Sequence, residues 1–400
     1  MKGNVALAVI TKYLDSLSPY IEFLENSRKY EHNIKELIIV YSHGKKVSVL
    51  KILEEKLNLM GVRLRVIKAV DDPYLYGRLK EMGLSSTAIS NLISSPLLAE
   101  HGLLPYGYYR NVALVAALTC NPPVDILFFV DTDVYPWLLG EREGEYYFQE
   151  IDFFGRHLEY LRGNTAITSS DYSGYYIIPS FSFAGLKELL LGLQKEKAYI
   201  FLEEKKNLIL ASKRREIRPT EKLLGGNLAL DLRKVDLFPP FFSTTYLYNG
   251  VLFLGRGEDT ILGREVWQRK GQVMDIDLRI FHDTYGNFPW QPELKSRTVR
   301  DRFFYAAMGW LGRNPFLNWL AVEEFKMKNI DFEGRKEFQY ENLKIGSKAI
   351  GDFLGDSRFY ELPEAFLAAY TQLNEMIDSY YRTMESWAEF KTKVEERRVS

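Results

Sequence analysis

A mixed, mainly parallel α/β sheet flanked by helices, followed by a helical C-terminal extension, is the fold the sequence predicts. Three observations predict it. The first 70 residues alternate as β-α-β-α-β, a short run at Ile126 to Val130 is wholly apolar and ends directly in Asp131 and Asp133, and strand patterns fade from about Lys295 onward. Alternation of strands and helices implies parallel pairing with right-handed crossovers. The body is expected over residues 1–294, divided near residue 135, with a helical region over 295–400.

Each element follows from its own pattern. "NVALAVI" from Asn4 reads as the first strand and "LSPYIEFLENSRKY" as an amphipathic helix. "ELIIVYSHG" is a second strand ending in turn residues, "LKILEEKLNLM" a helix and "VRLRVIKAV" a third strand. A broken helical stretch over residues 76–107 precedes the helix "YYRNVALVAALT", and "DILFFV" is the fourth strand. "NTAITSSDY" reads as a strand, residues 182–206 as a helical stretch, and "EKLLGGNLALDLRKV" as a Gly-Gly turn entering a short strand. "GEDTILGREVWQRKG" has a helical period, and "QVMDIDLRIFHDTYGNFP" reads as one strand running into a histidine-containing loop. Beyond Lys295 the chain is helical, with a polar loop near residues 329–346 and a last helix from Pro363, an early-turn proline.

Composition narrows the class. An apolar fraction of 46% and a charged fraction of 26% are those of a globular protein with a sizeable core. A net charge of -1 lacks the basic balance of a nucleic-acid binder. The single cysteine, Cys120, rules out an internal disulfide and suits a reducing, cytoplasmic setting. No run approaches the ~18 apolar residues of a membrane span.

The chemistry starts at Asp131 and Asp133. Open α/β sheets bind their ligands at the carboxyl ends of the strands. Two carboxylates at i and i+2 there can aim at one hard cation, Mg²⁺ or Mn²⁺, with a nucleotide diphosphate completing its oxygen shell. An isolated Asp-x-Asp is weak evidence, and "DID" at Asp275 to Asp277 is a second instance. Gly225 and Gly226 offer a backbone without Cβ atoms that can approach a sugar closely, and also make an ordinary turn. Asn227 could bond sugar hydroxyls or simply stabilise that turn. Glu258 and Asp259 open a helix, where the dipole favours negative charge, so capping alone would explain them.

Arg110 and Asn111 open the helix before the aspartate strand; "LLGGNLAL" follows about 95 residues downstream of the aspartates, then "GRGEDTILG", then "IFHDTYG". This order resembles the GT-A fold glycosyltransferases that use nucleotide sugars, over roughly residues 4–290. Family 2 transferases and the glucosyl- or mannosyl-phosphoglycerate synthases come nearest in layout. The resemblance implies a GT-A catalytic domain over 1–294, with a nucleotide-sugar half at 1–135 and an acceptor half at 136–294. It implies a metal site of Asp131, Asp133 and His282, with Asp133 the direct ligand and Asp131 reaching the ribose or binding through water. Arg110 would face the diphosphate, with Asn111 beside it in the nucleotide-sugar site, and Gly225, Gly226 and Asn227 would face the sugar. Asp259 would be the general base for the acceptor hydroxyl and Glu258 would orient acceptor or loop. Thr11, Ser42 and Asp71 mark the nucleotide pocket at the ends of the first three strands. "YSHG" stands where the family often has an acid, which leaves the donor base open.

The expected activity is metal-dependent transfer of a hexose from a nucleoside diphosphate sugar to a hydroxyl acceptor. A small anionic acceptor suits the basic stretch Lys295, Arg297, Arg300 and Arg302, which is equally a solvated helix start. A sugar-1-phosphate nucleotidyltransferase is the alternative, disfavoured because "VITKYLDSLSPY" has no glycine. A non-catalytic carbohydrate- or nucleotide-binding protein would have lost its acids. In the last helix Phe366, Tyr370, Leu373, Ile377, Tyr380, Met384 and Trp387 step 4-3-4-3-4-3. That spacing fits packing on the chain's own body, or a homodimer seam.

Overall fold

The computed structural model describes residues 3–14, 20–70, 72–93, 103, 105–199, 202, 207–211, 216–327 and 331–399. Its strands are β1 (Val5–Leu14), β2 (Ile34–Lys45), β3 (Arg63–Lys68), β4 (Ile126–Val130), β5 (Val134–Arg142), β6 (Glu145–Glu150), β7 (Thr165–Ser169) and β8 (Tyr172–Tyr175). They continue as β9 (Leu208–Ile209), β10 (Arg218–Pro219), β11 (Asn227–Asp231), β12 (Thr245–Tyr248), β13 (Val251–Leu254), β14 (Gln272–Asp275) and β15 (Ile280–His282). The main sheet has eight strands in the order β10-β14-β7-β11-β4-β1-β2-β3. β3, β2, β1 and β4 run parallel. β11 lies antiparallel between β4 and β7, and β14 is parallel to β7. The sheet is thus mixed and mainly parallel.

Alternation along β1 shows why it must be central. Val5, Leu7 and Val9 enter the core under helices Tyr20–Lys29 and Val47–Met60. Ala6, Ala8 and Ile10 face the opposite core with helix Tyr106–Thr119. Burial on both faces demands a continuous apolar strand. β2 runs on through Ser42, His43 and Gly44 to Lys45 because Tyr13 and Leu14 of β1 still pair there, so the expected turn lies later.

A second sheet, β6-β5-β15-β8-β9, stands beyond the aspartates. β5 and β6 form a hairpin whose two turn residues, Glu143 (φ 56°) and Gly144 (φ 84°), both take left-handed backbone, as the right-handed strand twist requires. The segment read as one strand before His282 is two: β14 closes in the main sheet and β15 crosses to the second, separated by residues 276–279. In the expected helical stretch over 182–206, helix Leu186–Gly192 is followed by a single turn at Glu196–Ala198, and Tyr199 and Leu202 are again helical; residues 200–201 and 203–206 fall outside the described residues. The polar loop expected near 329–346 is helix Phe332–Leu354, started by Asp331, whose carboxylate accepts from Gly334 N at 2.9 Å.

The C-terminal region is helical, over Arg297–Trp319, Phe332–Leu354, Leu362–Thr371 and Leu373–Val399. It shares the cores of the body. Gly346 sits so close to Leu189 that a Cβ there would meet its backbone at 2.3 Å. Trp387, Phe390 and Val394 reach the core of the main sheet, where Trp387 Nε1 donates to Phe238 O at 2.7 Å. The heptad helix is two helices, broken at Gln372. Phe366, Tyr370, Tyr380 and Trp387 are buried within the chain, and Leu373, Ile377 and Met384 pack against the same core. The heptad positions are thus used for packing on the chain's own body, one of the two readings their spacing allows. Among the described residues no helix is long and apolar enough to cross a membrane.

Candidate active site

Strand register assembles the site. β11 pairs antiparallel with β4 so that Asn227 faces Val130, which brings the preceding Gly226 beside Asp131. β15 pairs antiparallel with β5 so that His282 faces Val134, which brings it beside Asp133. Segments about 95 and 150 residues downstream of the aspartates thus meet them at the carboxyl edge of β4.

Arg110 is the hub of one half. It lies in the second turn of helix Tyr106–Thr119 and is 3% exposed. Its Nη1 donates to Gly225 O at 2.6 Å, its Nη2 to Asp131 Oδ1 at 3.3 Å and its Nε to Glu258 Oε1 at 3.3 Å. All three nitrogens are engaged, so Arg110 fixes Asp131 and the glycine turn instead of standing free for a diphosphate. Burial pushes the Asp131 carboxyl up, opposed by the Arg110 charge. Burial and the neighbouring Asp259 push Glu258 up as well. Glu258 is a buried partner of Arg110 and orients it.

The two glycines have a steric reason. A Cβ at Gly225 would lie 2.2 Å from Arg110 Nη2, and one at Gly226 would lie 2.3 Å from Asp131 Oδ2 and 2.6 Å from Tyr172 Oη. Gly226 N donates to Tyr172 Oη at 2.9 Å, and Gly225 N to Asp259 Oδ2 at 3.1 Å. The turn therefore ties the Asp-x-Asp strand to Asp259, whose Oδ1 accepts from Thr260 N at 2.7 Å.

Asp133 and His282 form the other half. His282 Nε2 lies 3.0 Å from Asp133 Oδ2, and its Nδ1 is 3.3 Å from Thr284 Oγ1. Burial works to push the Asp133 carboxyl up, but the hydrogen bond and charge of His282 prevail and hold it below the usual range. Burial would lower His282, and Asp133 raises it instead. The Asp133 side chain keeps 49% exposure, so its oxygens stay open to the cleft. Among the described residues no three His, Cys, Asp or Glu side chains close around one point to hold an ion, since Asp131 turns to Arg110. A half-exposed carboxylate beside an imidazole still fits Mn²⁺ or Mg²⁺ when substrate phosphate oxygens complete the shell.

The remaining expected residues divide. Thr11 and Ser42 lie inside β1 and β2, each three residues before the strand ends; Thr11 Oγ1 donates to Tyr13 O at 2.8 Å and Ser42 Oγ lies 2.6 Å from His43 Nδ1. Asp71 falls outside the described residues. Asn111 clamps Phe241 through two 2.8 Å bonds to its backbone. Asn227 is fully buried, bonded to His157 Nε2 at 3.0 Å and donating to Asp171 O and Leu278 O. Both asparagines are committed to the scaffold and do not face the cleft. In the basic stretch, Lys295 lies over Phe353, Arg297 pairs with Asp301, and Arg300 donates to Gly355 O. Arg302 alone turns to the site: it donates to Thr284 O at 2.8 Å, covers Tyr285, and its charge acts on both Asp133 and His282.

Sequence reasoning missed Tyr172, Arg256, Arg313 and Lys195. Arg256 was within sight, two residues before Glu258 in "GRGED". Tyr172 follows a predicted strand without any motif. Lys195 and Arg313 come within reach of the Asp259 charge because helix Arg297–Trp319 packs on β13 and on the Gly257 turn.

No family model and no curated protein matches this sequence. Among solved structures, the chain is similar to the mannosyltransferase PcManGT from Pyrobaculum calidifontis in complex with GDP-Man and Mn²⁺, at TM-score 0.40 and 11% identity over 94% of this chain and 88% of that one. It is also similar to glucosyl-3-phosphoglycerate synthase from Mycobacterium tuberculosis in complex with Mn²⁺, UDP-glucose and phosphoglyceric acid. There the TM-score is 0.35 and the identity 13%, over 77% of this chain and 80% of that one. Likenesses this weak carry no functional conclusion.

Proposed function

We propose that this chain is a metal-dependent glycosyltransferase that moves a hexose from a nucleoside diphosphate sugar to a hydroxyl acceptor, a small anionic one, in the cytoplasm. The observation that carries the reading is the meeting of Asp133 with His282 at 3.0 Å beside the Arg110–Asp131–Gly226 cluster. Four chain segments converge there, with an open carboxylate at their centre. Mn²⁺ or Mg²⁺ would be held by Asp133 and His282, with Asp131 alongside; bound, it supplies Lewis-acid stabilisation of charge on the departing diphosphate.

The chain's own residues do the rest. Arg110 holds Asp131 and the Gly225–Gly226 turn in place, and Glu258 holds Arg110. Arg302 adds positive charge next to His282, on the side where the diphosphate charge grows. Thr11 and Ser42 bound the nucleotide pocket. Asp259 takes the acceptor's hydroxyl proton as the acceptor oxygen bonds to the anomeric carbon. The bond from that carbon to the diphosphate oxygen breaks, and the nucleoside diphosphate leaves with the electron pair. Single displacement of this kind inverts the anomeric centre.

The test is release of nucleoside diphosphate from UDP-glucose and GDP-mannose with Mn²⁺, against EDTA, in the presence of hydroxy acids and phosphorylated polyols. The expected result is acceptor-dependent release by one donor, lost in Asp259→Asn with donor binding retained. Release that ignores Asp259, or no release with any pair, contradicts the proposal.

A further inference from the structure

Three cations gather around the start of the Asp259 helix. Arg256 follows β13, and its side chain lies against Gly309 of helix Arg297–Trp319, where a Cβ would come within 2.8 Å of its Cγ. Arg313, one turn further along that helix, lies against Gly257, where a Cβ would be 2.9 Å from its Cδ and Nη1. The Lys195 ammonium stands 4.6 Å from the centroid of Trp310, on the same helix. Arg256 and Arg313 therefore flank Gly257, the left-handed residue (φ 104°) that starts helix Glu258–Gln268.

These charges are poorly compensated. Arg313 is 7% exposed, and its Nε has no hydrogen-bond partner among the described residues; its Nη2 donates to Asn314 Oδ1 at 3.1 Å. None of Lys195, Arg256 and Arg313 forms an ion pair among the described residues, whereas Glu258 is committed to Arg110. The charge of Asp259 acts on Lys195 and Arg313, and that of Glu258 on Arg256 and Arg313, but among the described residues neither carboxylate forms an ion pair with any of the three. Burial and the neighbouring cations, Arg313 first, push Lys195 down to about 7; burial brings Arg313 down to about 10. Crowded, desolvated cations are costly unless an anion joins them, and the amino end of a helix adds to their pull on one.

We propose that Lys195, Arg256 and Arg313 form the subsite for an oxyanion, a carboxylate or a phosphate, carried by the hydroxyl acceptor, and so set its hydroxyl against Asp259. This rests on the transferase reading above and assigns the anion to residues outside the basic stretch at 295–302. A planar guanidinium binds either oxyanion through paired N–H groups.

The test uses the intact chain without donor or metal. Inorganic phosphate and glycerate are titrated calorimetrically, with uncharged glycerol as control, into the wild type, Lys195→Gln and Arg256→Gln. These two residues are half-buried, and their variants keep the test valid should the buried Arg313 prove essential for folding. Binding of phosphate alone marks a phosphorylated acceptor, and of glycerate alone a carboxylated one. In either case each variant should weaken it by about 10-fold or more, and the KM of the matching hydroxyl acceptor should rise with little change in kcat. No binding by the wild type, or binding unchanged in both variants, overturns the subsite. In a parallel titration with Mn²⁺, binding of a nucleotide sugar where neither anion binds fails the subsite alone; binding of an anion where no nucleotide sugar binds fails the acceptor role together with the transferase reading.

Discussion

The α-carbon of Gly226 lies against the Asp131 carboxylate so closely that a Cβ there would stand 2.3 Å from Oδ2. No side chain fits that contact. Asp131 is held on its other side by Arg110 and cannot swing away without losing that bond. Gly226→Ala should therefore displace Asp131 or Tyr172 by a few tenths of an ångström or more. Misplacement on the ångström scale costs a reaction up to about 10²-fold. A drop in kcat/KM of that order with an unchanged circular dichroism spectrum is the expected outcome.

Arg110 should matter for folding as well as for chemistry. Removing it leaves Glu258 buried without its counter-charge and Asp131 without its anchor. Breaking a buried pair from one side typically costs about 3–5 kcal/mol. Urea denaturation of Arg110→Ala should show a loss in that range. Adding Glu258→Gln to Arg110→Ala should recover part of it, because the stranded charge is gone.

His157 gives a pH signature away from the cleft. It is fully buried between Thr168 Oγ1 and Asn227 Oδ1, and burial pushes its pKa down to about 3. The unfolded chain takes up the proton near ~6.5, while the native state does not. Stability from the neutral ring is therefore present above the unfolded pKa and declines as pH falls toward the folded one. The slope from this group is at most about 1.4 kcal/mol per pH unit. His157→Gln should flatten the stability profile between pH ~4 and ~6.5. Parallel profiles for variant and wild type would contradict this.

The last helix is part of the core. Trp387 is 2% exposed and bonds Phe238 O, in the core of the main sheet. Trp387→Ala should cost about 3–5 kcal/mol in thermal or chemical denaturation. A change of a few tenths would mean the C-terminal helix docks as a separate unit.

How much of this was legible depends on whether the signal was local. β1, β2 and β4 were readable because strands buried on both faces are largely continuous apolar runs, and the edge strand β3 because Leu64 and Val66 alternate with Arg63 and Arg65. The β5–β6 hairpin was not read. Its turn is Glu143-Gly144, without the Asn-Gly signature, and β6 is exposed throughout, so it has no inward apolar alternation. Asp131, Asp133, Gly226, Asp259 and His282 were legible as an order of motifs, and strand register brings them together. Asn111 and Asn227 were misread because an asparagine that clamps a backbone looks, in sequence, like one that binds a sugar. Lys195 and Arg313 carried no signal. Their neighbourhood depends on how one C-terminal helix packs, and residues 118 positions apart share no pattern.

The central claim is that Asp133, poised beside His282, carries a metal-dependent nucleotide-sugar site. Calorimetric binding of a panel of nucleoside diphosphate sugars, with Mn²⁺ or Mg²⁺ and with EDTA, to the wild type and to Asp133→Ala tests it most directly. The predicted result is binding of one nucleotide that needs the metal and is lost in the variant. Binding indifferent to both metal and Asp133, or no binding of any nucleotide, would contradict it.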